Sequence, residues 1–295
     1  MVAAFLIAYP FYLVPGFPSV RERVNGVLLG FRQRAVAIGV PVFAVAAAVL
    51  PYLACCAGAV EFSWSGLARV IGAALALSLW YVLLPASPVT DVAYLGLWAA
   101  VLLGRYFNPV FAPLHPEFRD LKNVILIPHL SMISIAVMAL MLQRRVPETG
   151  YGFVPNAREW RIGLLHFLYF VPLGLPLALL LRATHFVSPK PAWYIAAMFL
   201  GMLWVASLSE EFLVRGVLQQ WIEDWTLSRN GALLITSAIF GLLHLWLGGF
   251  PNWKWAIVAG VLGWFCGRAR NQAGSIRASM VTHALVATTW RAFFA

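Results

Sequence analysis

Long apolar segments separated by short polar breaks follow one another along the chain. Ten of them are candidate membrane spans: 2–18, 35–58, 67–85, 91–107, 123–142, 161–182, 192–208, 231–248, 254–267 and 275–294. A helix needs about 20 predominantly apolar residues to cross the hydrocarbon core of a bilayer. Because two prolines interrupt the first segment and 254–267 is short, the pattern predicts about eight to ten spans.

Composition supports the same interpretation. Apolar residues make up 62% of the chain and charged residues 11%, whereas a soluble domain has roughly half and a quarter of each. Lipid offers the backbone no hydrogen-bond partners, so segments of this length are expected to be helical. The fold class that we expect is therefore an all-α, polytopic transmembrane helical bundle embedded in a lipid bilayer.

The longest polar connection, 143–160, contains two prolines and two glycines and is predicted to be a loop. It divides the chain into an N-terminal transmembrane region, 1–160, and a C-terminal core, 161–295. The N-terminal region contains no residues that indicate chemistry, and its role is not predicted.

Basic residues lie mostly between the apolar segments, in three clusters. The clusters are Arg21, Arg23, Arg32 and Arg34; Arg144, Arg145, Arg158 and Arg161; and Arg268, Arg270 and Arg277. With ten spans all three fall on one side of the membrane, which the positive-inside rule assigns to the cytoplasm. The formal net charge of +10 is therefore attributed to membrane orientation and not to nucleic-acid binding. We expect a multi-pass protein of the bacterial inner membrane, although Arg182 and Lys190 would then lie outside, against the rule.

Two adjacent acids, Glu210 and Glu211, stand apart from the other nine, which lie in loops or at segment ends. They follow directly on the apolar run that ends at Leu208. A carboxylate near membrane depth is costly unless it is paired or hydrated, and such a residue is a functional candidate by default. The alternative is an interfacial helix end, where these charges meet lipid headgroups.

Arg215 follows Glu211 at a spacing of i, i+4, with the acid nearer the N-terminus. In a helix this order favours an ion pair. Glu210 is about 100° further round the helix and faces elsewhere. The spacing therefore predicts that Arg215 holds Glu211 while Glu210 faces a cavity.

Two histidines, His244 and His283, lie in apolar segments that are predicted to be separate helices. A histidine and a carboxylate together can activate water, because one group takes a proton and another donates it to the leaving amine. A second histidine can stabilise an oxyanion. The four other histidines are predicted to be structural: His115, His129, His166 and His185.

A metal is not predicted, although zinc stays open as an alternative. Glu210, His244 and His283 could bind zinc with water in the fourth position, and spacing alone does not separate metal-activated from carboxylate-activated water. The sequence lacks a His-Glu-x-x-His motif and a Cys-x-x-Cys pair. The cysteines are interpreted as small buried residues: Cys55, Cys56 and Cys266.

Three motifs occur in a fixed order in the core. Glu210 to Arg215 fits Glu-Glu-x-x-x-Arg, Phe240 to His244 fits Phe-x-x-x-His, and His283 is followed four positions later by Ala287. This ordered set resembles the CPBP family, which includes CAAX prenyl endopeptidases of the Rce1 type, bacteriocin-processing proteins and Abi proteins. The resemblance covers about 161–295.

The resemblance implies an intramembrane glutamate-type endopeptidase that cuts a membrane-anchored protein or peptide. Glu210 and His244 would activate water, and His283 would form the oxyanion hole. Supporting residues would be Glu211, Arg215 and Phe240. Eukaryotic-type members usually have asparagine at the position of Ala287, so a prenylated CAAX substrate is less supported, and exosortase-type sorting of C-terminal anchors is another setting found in the family.

Two other classes of function stay open on the residues alone. In a proton- or ion-coupled transporter, the acids and histidines would line an ion path, although no inverted repeat is visible in the sequence. A non-catalytic scaffold or immunity protein would bind its partner without cutting it.

Overall fold

The computed structural model describes residues 2–17, 19–20, 22, 32–111, 126–147 and 149–294. These residues are predominantly helical and form no strand, apart from one isolated bridge between Phe186 and Phe294. The prediction of an all-α fold is confirmed. Arg21, Arg23 and His115, which the sequence analysis singled out, lie outside the described residues.

The chain separates into two compact units, 1–147 and 148–295. This division falls inside the connection 143–160 that was predicted to be a loop, and the first helix of the second unit already begins at Ala157. That 161–295 is the peptidase core stays a prediction, and the role of 1–160 is not predicted.

Unit 1 contains six described helices. They are α1 (Val2–Leu13), α2 (Arg32–Cys56), α3 (Trp64–Leu83), α4 (Pro88–Leu103), the short α5 (Asn108–Phe111) and α6 (Leu126–Met138), which continues as a π-helical turn, Ala139–Gln143. A buried ion pair joins α4 to the end of that turn. The Asp91 carboxylate, fully buried, accepts from Arg144 Nε at 2.8 Å and Nη2 at 2.7 Å, and from the Tyr81 hydroxyl at 3.0 Å.

The described residues of unit 2 form five helices. They are α7 (Ala157–Leu180), α8 (Ala192–Thr226), α9 (Arg229–Leu243), α10 (Trp253–Ala273) and α11 (Ile276–Phe293). Side chains cap four of their N-termini by accepting backbone N–H groups, as expected for Ser and Asn at such positions: Asn156, Ser228, Asn252 and Ser275. Gly274, with φ of 70°, ends α10 and allows α11 to begin two residues later.

Four described helices are long and apolar enough to cross a membrane: Val36–Cys56, Trp64–Leu83, Ala157–Leu180 and Ala192–Thr226. Three shorter apolar helices accompany them: Ala3–Leu13, Pro88–Val101 and Ile127–Gln143. The chain is a multi-pass integral membrane protein. Helices α9 to α11 cover the last three predicted spans but do not join this set, because α9 is only 15 residues long and the other two carry polar and charged side chains.

Close helix packing brings the polar residues of unit 2 together. Gly241 on α9 lies so near α10 that a Cβ atom there would be 2.5 Å from the Ala256 carbonyl oxygen. Thr282 on α11 donates its hydroxyl to the Gly163 carbonyl of α7 at 2.9 Å. At the start of α7, the Glu159 carboxylate accepts from Arg277 of α11 through both Nε and Nη2, at 2.8–3.0 Å.

The Glu159–Arg277 pair yields a stability prediction. Arg277→Met leaves the Glu159 carboxylate, which is only 4% exposed, without its cation. We expect the free energy of unfolding in detergent micelles to fall by on the order of 3 kcal/mol, the usual effect of breaking a buried pair. Arg158→Met is the matched control, because Arg158 is exposed and donates to the Gln272 carbonyl. Equal stability of the two variants would contradict the prediction.

Candidate active site

Helix α8 is one continuous helix of 35 residues that carries the paired acids near its centre. Glu210 and Glu211 end a short α-helical stretch, Leu208–Glu211, which lies between two π-helical segments, Met202–Ser207 and Phe212–Leu218. Wider π turns inside α-helices occur frequently at functional sites. The apolar segment predicted to end at 208 therefore continues through the acids without a break.

Glu211 is completely buried and is the centre of the polar contacts. Its Oε1 atom accepts from Arg215 Nη1 at 3.3 Å and from His283 Nδ1 at 2.9 Å. Because a carboxylate has no proton to donate, the Nδ1 atom of His283 must carry the hydrogen. The predicted Glu211–Arg215 pair is thus present, and its burial does not fit a helix end that meets lipid headgroups.

Arg215 is also fully buried and is held on three sides. Besides the Glu211 contact, its Nη2 atom donates to the Gly263 carbonyl of α10 at 3.0 Å. Its guanidinium carbon lies 4.3 Å from the centroid of the Phe240 ring, within the range of a cation–π interaction. These contacts fix the cation that compensates the Glu211 charge.

Glu210 lies one residue away but in a different environment. Its side chain is 40% exposed, and its Oε2 atom is 3.8 Å from His283 Nε2. The imidazole ring of His283 thus lies between two carboxylates, with Glu211 at one nitrogen and Glu210 near the other. The two acids differ as their helical positions predicted, one buried and paired, the other accessible.

His244 is half-buried at the end of α9, where a 3-10 turn, His244–Trp246, begins. The expectation that it lies inside an apolar helix is wrong, because α9 ends at Leu243 and His244 is its C-cap residue. Its Nδ1 atom lies 2.8 Å from the Phe240 carbonyl oxygen and must donate to it, which leaves Nε2 as the basic atom. His244 also interacts electrostatically with Glu210 and His283.

Phe240 links the parts of the site. Its ring, 1% exposed, lies 4.6 Å from the His244 ring centroid and 5.6 Å from that of His283, edge-on to the latter. With Arg215 above its face, the same ring contacts three of the predicted residues. The structure thus brings together all six residues that the motifs singled out, whereas their catalytic and supporting roles stay predictions.

Two residues of α10 lie at the site although the sequence analysis did not place them there, and Cys266 had been interpreted only as a small buried residue. Gly263 accepts from Arg215, and the buried Cys266 thiol lies within 4.8 Å of ligand atoms of Glu211 and His283. Neither belongs to a motif. The signal available in the sequence was their helical spacing of three, which places both on one face of α10.

Among the described residues, the group with metal-ligand spacing is Glu211, Cys266 and His283, not the set with Glu210 and His244 that was considered for zinc. These donors fit a cation poorly. His283 Nδ1 already gives its proton to Glu211, and the Arg215 guanidinium sits against the same carboxylate. The absence of a metal cofactor stays a prediction.

Three further residues, His166, Ala287 and Thr288, are not among the six motif residues brought together at the site. His166 is buried in α7 with its Nδ1 atom 2.9 Å from the Ile162 carbonyl oxygen, as a structural histidine would be. Ala287 lies one turn beyond His283. The hydroxyl of the next residue, Thr288, is buried and has no hydrogen-bond partner among the described residues.

The fold and site define a helical membrane protein with a buried cluster of acids and histidines. Residues 191–289, about one third of the chain, match the family described as Type II CAAX prenyl endopeptidase Rce1-like. This range is similar to the Rce1-like domain, and all six motif residues fall inside it. The match supports a CAAX-type intramembrane protease in general terms. Comparison with curated proteins and with solved structures gave no match.

Burial of the Glu211–Arg215 pair leads to a second stability prediction. Arg215→Met leaves a carboxylate without its cation in a dry interior, and we expect a loss of about 3–5 kcal/mol. The double variant Arg215→Met/Glu211→Gln removes both charges and should recover part of that loss. Thermal unfolding in detergent measures both. A double variant that is less stable than Arg215→Met alone would argue against the pair as the source of the effect.

Proposed function

We propose that the protein is an intramembrane endopeptidase that hydrolyses a peptide bond in a membrane-anchored protein or peptide through glutamate- and histidine-activated water. The observation that carries this proposal is the His283 ring between two carboxylates, 2.9 Å from Glu211 and 3.8 Å from Glu210. A structural histidine needs one partner, and a second acid left accessible beside it indicates a reacting group.

In the first step, Glu210 and His244 act on water. The Glu210 carboxylate is accessible, and His244 offers its Nε2 lone pair because Nδ1 donates to the Phe240 carbonyl. One of them takes a proton from water as the oxygen bonds to the scissile carbonyl carbon. The same proton then passes to the amide nitrogen, and the C–N bond breaks.

His283 supports the negative charge that develops on the carbonyl oxygen. Its Nδ1 proton is committed to Glu211, so it donates to substrate from Nε2 only as the imidazolium ion. The Glu211 carboxylate stabilises that ion, and Arg215 in turn keeps Glu211 in place as a carboxylate. Glu211 and Arg215 thus act on the reaction through His283.

The substrate is expected to be bound within the bilayer, and the proposed location is the bacterial inner membrane. Ala287 offers no side-chain donor for the oxyanion, so His283 alone provides the donor at that motif. For this reason a general membrane-anchored substrate fits better than a prenylated CAAX protein.

The central test uses substitutions in the accessible pair. Glu210→Ala and His244→Ala should lower the cleavage rate of a membrane-anchored reporter in proteoliposomes by about 10²–10⁴-fold, the usual contribution of general acid–base groups. Asp224→Ala is the control, because Asp224 is an exposed acid near the end of the same helix. Product masses identify the cut bond. Wild-type rates in both site variants, or proton flux without cleavage, would refute the proposal and favour a transporter.

Metal dependence is tested separately. Because Glu211 is hydrogen-bonded to both His283 and Arg215, cleavage is expected to persist after dialysis against 1,10-phenanthroline. The metal content of the purified protein, measured by mass spectrometry, should be far below one ion per chain. A metal at Glu211, Cys266 and His283 would instead be established if the chelator removed the activity and zinc restored it. In that case the variant Cys266→Ser should lose the activity as well.

A further inference from the structure

The fixed position of Arg215 depends on a helix that carries none of the motifs. The Arg215 side chain has 0% exposure, and its Nη2 atom donates to the Gly263 carbonyl on α10 at 3.0 Å. That carbonyl lies in mid-helix. The two terminal nitrogens of the guanidinium therefore have different partners. Nη1 donates to Glu211, and Nη2 donates to Gly263.

Gly263 permits this approach because it has no side chain. A Cβ atom built there would lie 3.1 Å from Arg215 Nη2 and 3.1 Å from the Cα atom of Ser237 on α9. Both distances are shorter than ordinary van der Waals contact, and the second involves backbone. Glycine is less favourable than alanine in a helix interior, so helix propensity alone would favour alanine here.

We infer that Gly263 is a positioning residue for the peptidase site. Its carbonyl and its missing side chain set where the Arg215 guanidinium lies, and Arg215 sets the orientation of the Glu211 carboxylate that holds His283. This inference rests on the proposed function and adds α10 to the helices that build the site. Gly263 itself does not touch the reacting atoms.

The geometry of the ion pair shows why a small displacement matters. Arg215 Nη1 and Glu211 Oε1 are 3.3 Å apart, already long for a charge-assisted hydrogen bond, which is usually about 2.7–2.9 Å. A few tenths of an ångström more would weaken it further. Glu211 would then rotate, and the His283 ring that donates to it would turn away from the substrate oxygen.

Gly263→Ala and Gly260→Ala form a matched pair of variants. A Cβ atom at Gly260 would lie 3.6 Å from the Ser237 carbonyl oxygen and 4.0 Å from Gly241 Cα, which are ordinary contacts. Both positions are on α10, both face α9, and both gain the same helix propensity. We expect Gly263→Ala to lower kcat by about 10- to 100-fold with KM little changed, as for a misplaced catalytic group. Gly260→Ala should stay close to wild type.

A double-mutant cycle separates positioning from general packing. Arg215→Lys carries a single ammonium group that cannot serve Glu211 and Gly263 in the same geometry. If Gly263 acts through Arg215, Gly263→Ala should have little further effect on kcat in the Arg215→Lys background. The same cycle on thermal unfolding midpoints in detergent requires no substrate. Additive effects in both measurements, or failure of Gly263→Ala to fold in both backgrounds, would assign Gly263 to packing against Ser237 and overturn the inference.

The two proposals fail differently. If Glu210→Ala still cleaves at the wild-type rate, the proposed function is wrong, whatever Gly263 does. If Glu210→Ala is inactive while Gly263→Ala and Gly260→Ala are equally active, the proposed function stands and the positioning role of Gly263 is wrong.

Discussion

A carboxylate taken out of water must be compensated within the protein, and this requirement organises the second unit around Glu211. Continuum arguments put the cost of burying an ion at several kcal/mol, which a single neighbour rarely offsets. Here Arg215 and His283 share one oxygen of Glu211, and the arginine also donates to a backbone carbonyl and lies over an aromatic face. Four helices therefore have to meet at one point: α8, α9, α10 and α11.

The same arrangement divides the polar groups into a fixed part and an accessible part. Glu211, Arg215 and His283 are almost completely buried, and both Arg215 and His283 bond to Glu211. Glu210 and His244 retain exposure and have no such network of mutual bonds among the described residues. Preorganised charge stabilises a transition state without rearranging during the reaction, whereas the groups that exchange protons with water need access to it.

The hydrophobic pattern predicted the helices and the all-α class because lipid leaves the backbone few alternatives. The i, i+4 spacing of Glu211 and Arg215 predicted their contact, since a helix fixes that geometry locally. His244 was misplaced because the sequence stays apolar beyond Leu243, where α9 ends, so hydrophobicity alone did not mark the helix end. Gly263 and Cys266 were not recognised, because their contacts arise from the packing of α10 against other helices, and a spacing of three on one helix face does not reveal what that face meets.

The π-helical segments on either side of the acids affect the direction in which Glu210 and Glu211 face. A π turn accommodates one residue more than the α-helical turn that it interrupts. If Met202–Ser207 kept all its residues but wound as an α-helix, the extra residue would no longer be absorbed, and Glu210 and Glu211 would rotate by about 100° relative to the apolar first half of α8. The acids would then face different neighbours although their own motif was intact. The length of this apparently featureless apolar run is therefore as much a part of the site as the motif that follows it.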